Sequence, residues 1–217
     1  MPAAFFDFDG TLFDTRGDLA ATVNHARRDF ALRPLPSDAV IANVGLGAKY
    51  LLSQCFRIDA AELLEEVGVD RLFERFMAHY LEHACETVVP YDGVVSTLGE
   101  LHRRGIQLGI NTAKPRAAVD MILAKFGLAD FFGSAIVAAG DSPEMKPSAR
   151  PLLDCAAKMP RTLAPCDWMV GDNWTDVGCG VNAGVKSAYC DFGFGTLKDY
   201  APTVRIARFS DLLEWVK

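Results

Sequence analysis

The chain has 217 residues, half of them hydrophobic, and a net charge of −6, with mean hydropathy +0.13 and a pI near 5.2. That is material for one large domain, or for a core with a modest second one, and its acidic balance argues against a nucleic-acid backbone as partner. No apolar run approaches the roughly 18–20 residues of a membrane span, and Met1-Pro2-Ala3-Ala4 lacks a basic region and meets Asp7 too soon for a secretory signal.

Ala3 to Phe8 is apolar apart from Asp7, the pattern of a strand buried on both faces. An aspartate at the end of such a strand is costly unless a metal, a cation or a substrate compensates it. Asp7 and Asp9 stand two residues apart, so extended backbone sends both carboxylates to one side. Gly10 then allows a sharp turn and Thr11 adds a hydroxyl. The stretch reads as a catalytic centre; a plain strand with a polar turn is the simpler alternative.

A long helical region follows. Leu19, Val23, Ala26 and Phe30 recur at helical spacing, Pro34 and Pro36 break the run, and Ser37 or Asp38 is placed to cap the next helix. Val44-Gly45-Leu46-Gly47 is a turn before a helix over 48–56, and 60–86 is helical with an interruption at Gly68. From Arg16 to Thr87 no strand is expected. From Pro90 strands and helices alternate: helix 93–104, strand 106–112, helix 116–126, strand 135–138, helix 149–157, strand 168–170, helix 176–182, strands 185–189 and 204–207, and a last helix capped by Ser210. Such alternation predicts a Rossmann-like α/β core, a parallel sheet with helices on both faces, built from 1–15 and 88–217. Residues 16–87 form an inserted all-helical cap.

Ligands of open α/β sheets bind beyond the carboxyl ends of the strands. The polar residues expected there are Asp7, Asp9, Thr112, Asp172 and Asp176, with Lys146 in the loop after the short strand. Separate segments thus deliver acids, a hydroxyl and a lysine to one edge. Cys55, Cys85, Cys155, Cys166, Cys179 and Cys190 contain no C-x-x-C pair, and His25, His79, His83 and His102 lie singly on predicted helices. Zinc is not expected, and the thiols read as reduced, in a cytoplasmic protein. Gly178-Cys179-Gly180-Val181-Asn182-Ala183-Gly184 superficially matches a dinucleotide fingerprint, but no strand immediately precedes it. Close helix packing is the better reason for its glycines.

These segments resemble the motifs of the haloacid dehalogenase-like superfamily, specifically its phosphatases. Asp7-Phe8-Asp9-Gly10-Thr11-Leu12 is similar to the first motif, Ile110-Asn111-Thr112-Ala113-Lys114-Pro115 to the second, Lys146-Pro147 to the third and Gly171-Asp172-Asn173-Trp174-Thr175-Asp176 to the fourth. Within the superfamily, Asp18-Leu19, Val44-Gly45-Leu46-Gly47, Tyr91-Asp92-Gly93-Val94 and Lys114-Pro115 resemble the phosphoglycolate phosphatases. Ala113, Asp92, Ala149 and Asn173-Trp174 depart from the usual pattern, which bears on substrate rather than on chemistry.

The resemblance implies a Mg²⁺-dependent phosphatase with Asp7 as nucleophile, forming an aspartyl-phosphate, and Asp9 handling the proton. Carboxylates and retained waters suit Mg²⁺. Asp7 and Asp172 are placed for it by the sheet edge, while the Asp9 main-chain carbonyl is a ligand only by resemblance. Gly10, Thr112, the Ala113 N–H and Lys146 are expected to bind phosphate. Asp176 either supports the metal ligands from outside or orients Lys146, with a helix N-cap as its plainer role. Gly45, Gly47 and Lys49 are expected to set specificity, for a small anionic phosphoester such as 2-phosphoglycolate. Other small phosphoesters, pyrophosphate, a β-phosphoglucomutase-like mutase, a dehalogenase, a phosphonate-cleaving enzyme and a non-catalytic regulatory protein are the alternatives. The expected state is monomer or homodimer, without membrane or nucleic-acid partners.

Overall fold

The computed structural model describes residues 1–217. Its centre is a six-stranded sheet in the order β5-β4-β1-β6-β7-β8, every neighbouring pair parallel. The strands are β1 (Ala3–Phe6), β4 (Gln107–Pro115), β5 (Ile136–Ala139), β6 (Trp168–Gly171), β7 (Lys186–Cys190) and β8 (Val204–Ile206). A short antiparallel pair, β2 (Phe13–Asp14) with β3 (Val89–Pro90), was not expected from the sequence. Two-residue strands carry no periodicity to read.

Strand alternation divides the core between the two faces of the sheet. Ala4 and Phe6 of β1, with Trp168 and Val170 of β6, join the larger apolar cluster. Ala3, Phe5 and Met169 point to the other face, among Leu152, Cys155 and Val137. Burying a phenylalanine such as Phe6 contributes about 1.5–3 kcal/mol, so a one-residue register slip of β1 would forfeit apolar contacts on both faces. Helices α6 (Val94–Arg103), α7 (Arg116–Phe126), α8 (Ala129–Phe132), α9 (Arg150–Ala156), α10 (Trp174–Asn182) and α11 (Leu212–Trp215) cover the sheet.

Helices α1 (Arg16–Arg28), α2 (Ser37–Ile41), α3 (Ala48–Arg57), α4 (Ala61–Val67) and α5 (Val69–His83) fill the interval between β2 and β3. They share their own apolar cluster, with Leu52, Phe56, Leu72 and Phe76 fully buried, joined by Ala118 of α7. Gly68 separates α4 from α5 at φ +79°, a left-handed value that ends one helix and turns the chain into the next. Where the helical segment meets the sheet, buried Asp18 accepts the N–H groups of Thr87 and Val88 at 2.9 and 3.2 Å, so the outgoing and returning chains are tied together.

Several local expectations are corrected. β1 ends at Phe6, and Asp9 lies in a tight turn in which the Phe8 carbonyl accepts N–H groups from Leu12 and Phe13 at 3.0 Å. Asp7 still bonds the neighbouring strand, its N–H donating to the Val170 carbonyl at 2.9 Å, so only Asp9 belongs to the turn. Ser210 caps no helix: it lies inside a 3-10 turn over Phe209–Asp211, where Asp211 Oδ2 accepts the Arg208 N–H at 3.0 Å. Neither Ser37 nor Asp38 caps α2, which begins at Ser37 after Pro36. The histidines are not all single. Packing of α1 on α5 stacks His25 on His79 with centroids 3.7 Å apart, and His83 follows at 4.3 Å.

Candidate active site

The three central strands β4, β1 and β6 all end at one crevice, because parallel strands present their carboxyl ends to the same edge. The end of β4 carries Thr112 and Ala113, the segment after β1 carries Asp7 and Asp9, and the segment after β6 carries Asp172. All five line one cleft, roofed by Leu19, Val44, Gly45, Gly47, Leu51 and Tyr80 from the helical segment.

Buried Asp7 receives Lys146 at 2.8 Å from Nζ to Oδ1. The same ammonium reaches Asp176 Oδ1 at 2.6 Å, and both groups are almost wholly excluded from solvent. Burial opposes the charge on Lys146, but Asp176 and Asp7 outweigh it and hold the ammonium above the ordinary lysine range. Asp176 therefore orients the lysine. It also works as a capping residue, since its Oδ2 accepts the Asn173 N–H at 3.0 Å to start α10. A Cβ on Gly171 would fall 2.2 Å from the Asp176 carboxylate, which explains glycine at the end of β6.

Asp172 is held by the loop after β7. Its Oδ2 accepts the Phe194 and Gly195 N–H groups at 3.0 and 2.7 Å, and Thr11 Oγ1 donates to Oδ1 at 3.2 Å. Burial, then repulsion from Asp176 and Asp7, pushes its pKa up to about 8. Burial pushes Asp176 up to about 7 against the pull of Lys146. Oxygen atoms of Asp7, Asp172 and Asp176 lie within 4.8 Å of one another. Three carboxylates against one ammonium leave an excess of buried negative charge. That donor set fits a hard divalent cation, which would neutralise it.

Two expected phosphate and specificity residues are placed differently. Gly10 gives its N–H to the Phe13 carbonyl at 2.9 Å and has φ +82°, so it serves the turn instead of offering a donor to the cavity. A Cβ there would fall 2.1 Å from Asp172 Oδ2. Lys49 stands one residue beyond the lining residue Ala48 but points outward, bonding Asp70 at 2.6 Å with both side chains exposed. The helix α3 sends successive residues to different faces, and a glycine turn gives no hint of which one meets the cavity. Gly45 and Gly47 do line it. Gly45, at φ +120°, lies so near the core that a Cβ would meet Asn173 Nδ2 at 2.6 Å.

Sequence reasoning missed Lys114 and Tyr80. Lys114 is almost fully buried and lines the cavity, with Nζ 2.6 Å from Asp9 Oδ1 and 2.5 Å from the Tyr80 hydroxyl. Burial opposes its charge, while Asp9 and Tyr80 more than offset that and raise its pKa. One signal was available. β4 runs on to Pro115, and Thr112 and Lys114 are two residues apart in it. The glycine-rich run in α10 packs against the sheet: a Cβ on Gly180 would press on Met169 and Ser187 at 3.3 Å.

The chain belongs to the haloacid dehalogenase-like hydrolases, whose family model matches residues 4–190. It is accordingly an enzyme, a phosphatase-like hydrolase of that family. It is 35% identical over 198 residues to the phosphoglycolate phosphatase of Agrobacterium fabrum, covering 89% of this chain and 82% of that one. The phosphoglycolate phosphatase of Chromobacterium violaceum is 30% identical over 220 residues, covering 100% and 97%. The crystal structure of a predicted phosphoglycolate phosphatase from Haemophilus somnus 129pt superposes with a TM-score of 0.90 at 27% identity, covering 100% of this chain and 98% of that one. No helix is long and apolar enough to cross a membrane.

Proposed function

We propose that this enzyme is a Mg²⁺-dependent phosphatase that hydrolyses a small phosphate monoester through an aspartyl-phosphate on Asp7, with 2-phosphoglycolate as preferred substrate. The observation that carries the reading is the Asp7–Lys146–Asp176 chain beside Asp172, with Asp7 and Asp172 lining the same cavity as Asp9 and Thr112. Names of the relatives support the substrate. Residues 16–87 act as a cap over the site, and the enzyme works in the cytoplasm, in keeping with six free cysteines.

Lys146 pairs with Asp7 and offers positive charge to the phosphoryl oxygens, while Thr112 and the Ala113 amide donate to them. Asp7 Oδ attacks phosphorus; the ester P–O bond breaks, and the leaving oxygen takes a proton from Asp9. Asp9 then removes a proton from water, which attacks the same phosphorus and frees Asp7 and inorganic phosphate. Asp7, Asp172 and the Asp9 carbonyl would hold Mg²⁺, which offsets repulsion between the nucleophile and an anionic phosphate when bound.

Phosphate release from a panel of small esters and pyrophosphate, with Mg²⁺ or with chelator, tests the reading beside Asp7→Asn. Turnover of 2-phosphoglycolate should exceed that of the others, stop in chelator, and fall on the order of a thousandfold or more in Asp7→Asn. Turnover surviving in Asp7→Asn would refute the covalent mechanism.

A further inference from the structure

The cavity has a chemical asymmetry that the phosphoryl site does not account for. Asp7, Asp9 and Asp172 line its floor, and the helical segment supplies Leu19, Leu51 and Phe76 together with glycines and an alanine. Among the lining residues Lys114 is the only cation, and Tyr80 gives the only polar side-chain atom from the helical segment. Lys146 lies behind Asp7, bonded to two carboxylates. A substrate carrying a second anionic group would bury it among acids and hydrocarbon unless one cation answered it.

Lys114 is built for that task. Its ammonium has three N–H donors; Asp9 and Tyr80 take two, at 2.6 and 2.5 Å, and leave one. Its place is fixed from the core by the Phe8 ring, 5.5 Å to the centroid, and from the helical segment by Tyr80, whose own ring packs on Phe76 at 5.2 Å. Position matters as much as charge. In the phosphate ester of a 2-hydroxy acid, a single carbon separates the leaving oxygen from the carboxyl carbon. A leaving oxygen set to take a proton from Asp9 therefore carries its carboxylate alongside Asp9, where Lys114 Nζ sits.

We propose that Lys114 is the specificity-determining residue of this enzyme, binding the carboxylate of a phosphorylated 2-hydroxy acid beside the leaving oxygen, with Tyr80 as its positioning residue from the helical segment. The assignment rests on the phosphatase reading above and moves the second anion site from the outward-facing Lys49 to the core. It also gives the helical segment a share in specificity through one hydroxyl: only when α5 lies over the sheet can Tyr80 hold the ammonium.

The test compares 2-phosphoglycolate with ethyl phosphate, which has the same carbon chain and no carboxylate, for the wild type, Lys114→Met, Lys114→Arg and Tyr80→Phe with Mg²⁺. The wild type should prefer 2-phosphoglycolate in kcat/KM. Lys114→Met should slow both esters, because Asp9 loses its partner, but cost 2-phosphoglycolate about tenfold or more beyond the common loss, chiefly in KM. Lys114→Arg should recover part of that selectivity. Tyr80→Phe keeps the ring against Phe76 and should shift the ratio in the same direction by a smaller factor, which decides the matter if Lys114→Met does not fold. Equal losses on both esters in Lys114→Met, or a wild type indifferent to the carboxylate, overturn the assignment while leaving a phosphatase. A wild type that releases phosphate from neither ester removes the 2-phosphoglycolate reading and this inference with it.

Discussion

Lys146 Nζ lies 2.8 Å from Asp7 Oδ1, deep enough that neither side chain keeps a tenth of its surface. One ammonium thus restrains the proposed nucleophile while Asp176, at 2.6 Å, restrains the ammonium. The pair is worth more as geometry than as stability, because desolvating two charges cancels much of their attraction. Breaking it is another matter, since the acids stay buried.

Lys146→Met removes the only cation from a cluster of three buried carboxylates. Loss of one partner from a buried pair costs about 3–5 kcal/mol. The loss should be larger near pH 8 than near pH 5, because protons on Asp172 and Asp176 replace the missing positive charge. Urea unfolding at the two pH values checks this. Equal losses at both would mean that the lysine supports the fold by packing alone.

Lys49→Ala should leave the KM for 2-phosphoglycolate within about twofold of wild type and stability within about 1 kcal/mol, the range of exposed ion pairs. The reason is its placement: its ammonium faces Asp70 on the surface and not the cavity. Steady-state kinetics on the purified variant decides it, and a KM raised tenfold would return the second anion site to the helical segment.

The alternation of strand and helix after Pro90, and the acids at the ends of β1 and β6, were legible because burial on both faces writes itself into continuous apolar runs. The same logic located Thr112, whereas Lys146, in a loop beyond β5, was marked by the resemblance of Lys146-Pro147 to the third motif. What the sequence hid depends on contacts across elements far apart in the chain. Tyr80 reads as one more apolar position on α5, and only packing of α5 over the sheet brings its hydroxyl to Lys114, 34 residues away. Lys114 itself resembles a surface lysine at a strand end until Asp9, 105 residues earlier, is seen to face it. Gly10 erred the other way. Motif position suggested a phosphate donor, whereas its N–H is already bonded within the turn.

The acid cluster makes stability depend on pH in a definite direction. Burial, with repulsion from Asp176 and Asp7, raises Asp172 to about 8, and burial raises Asp176 to about 7 against the pull of Lys146, both from 3.8. Between those values the folded protein holds protons that the unfolded chain has released, so metal-free stability falls as pH rises from about 4 to about 8. A divalent cation competes with the same protons and binds only the folded arrangement, so its stabilising effect should grow over the same interval. Thermal unfolding midpoints in chelator should therefore decline from about pH 5 to about pH 8, and Mg²⁺ should restore most at the upper end. In Asp172→Asn the decline should shrink, because the group with the largest upward shift no longer titrates, and the Mg²⁺ effect should weaken with it. A midpoint in chelator that stays level or climbs over this range would show that the three carboxylates do not share uncompensated charge, and the argument for a cation between them would lose its physical basis.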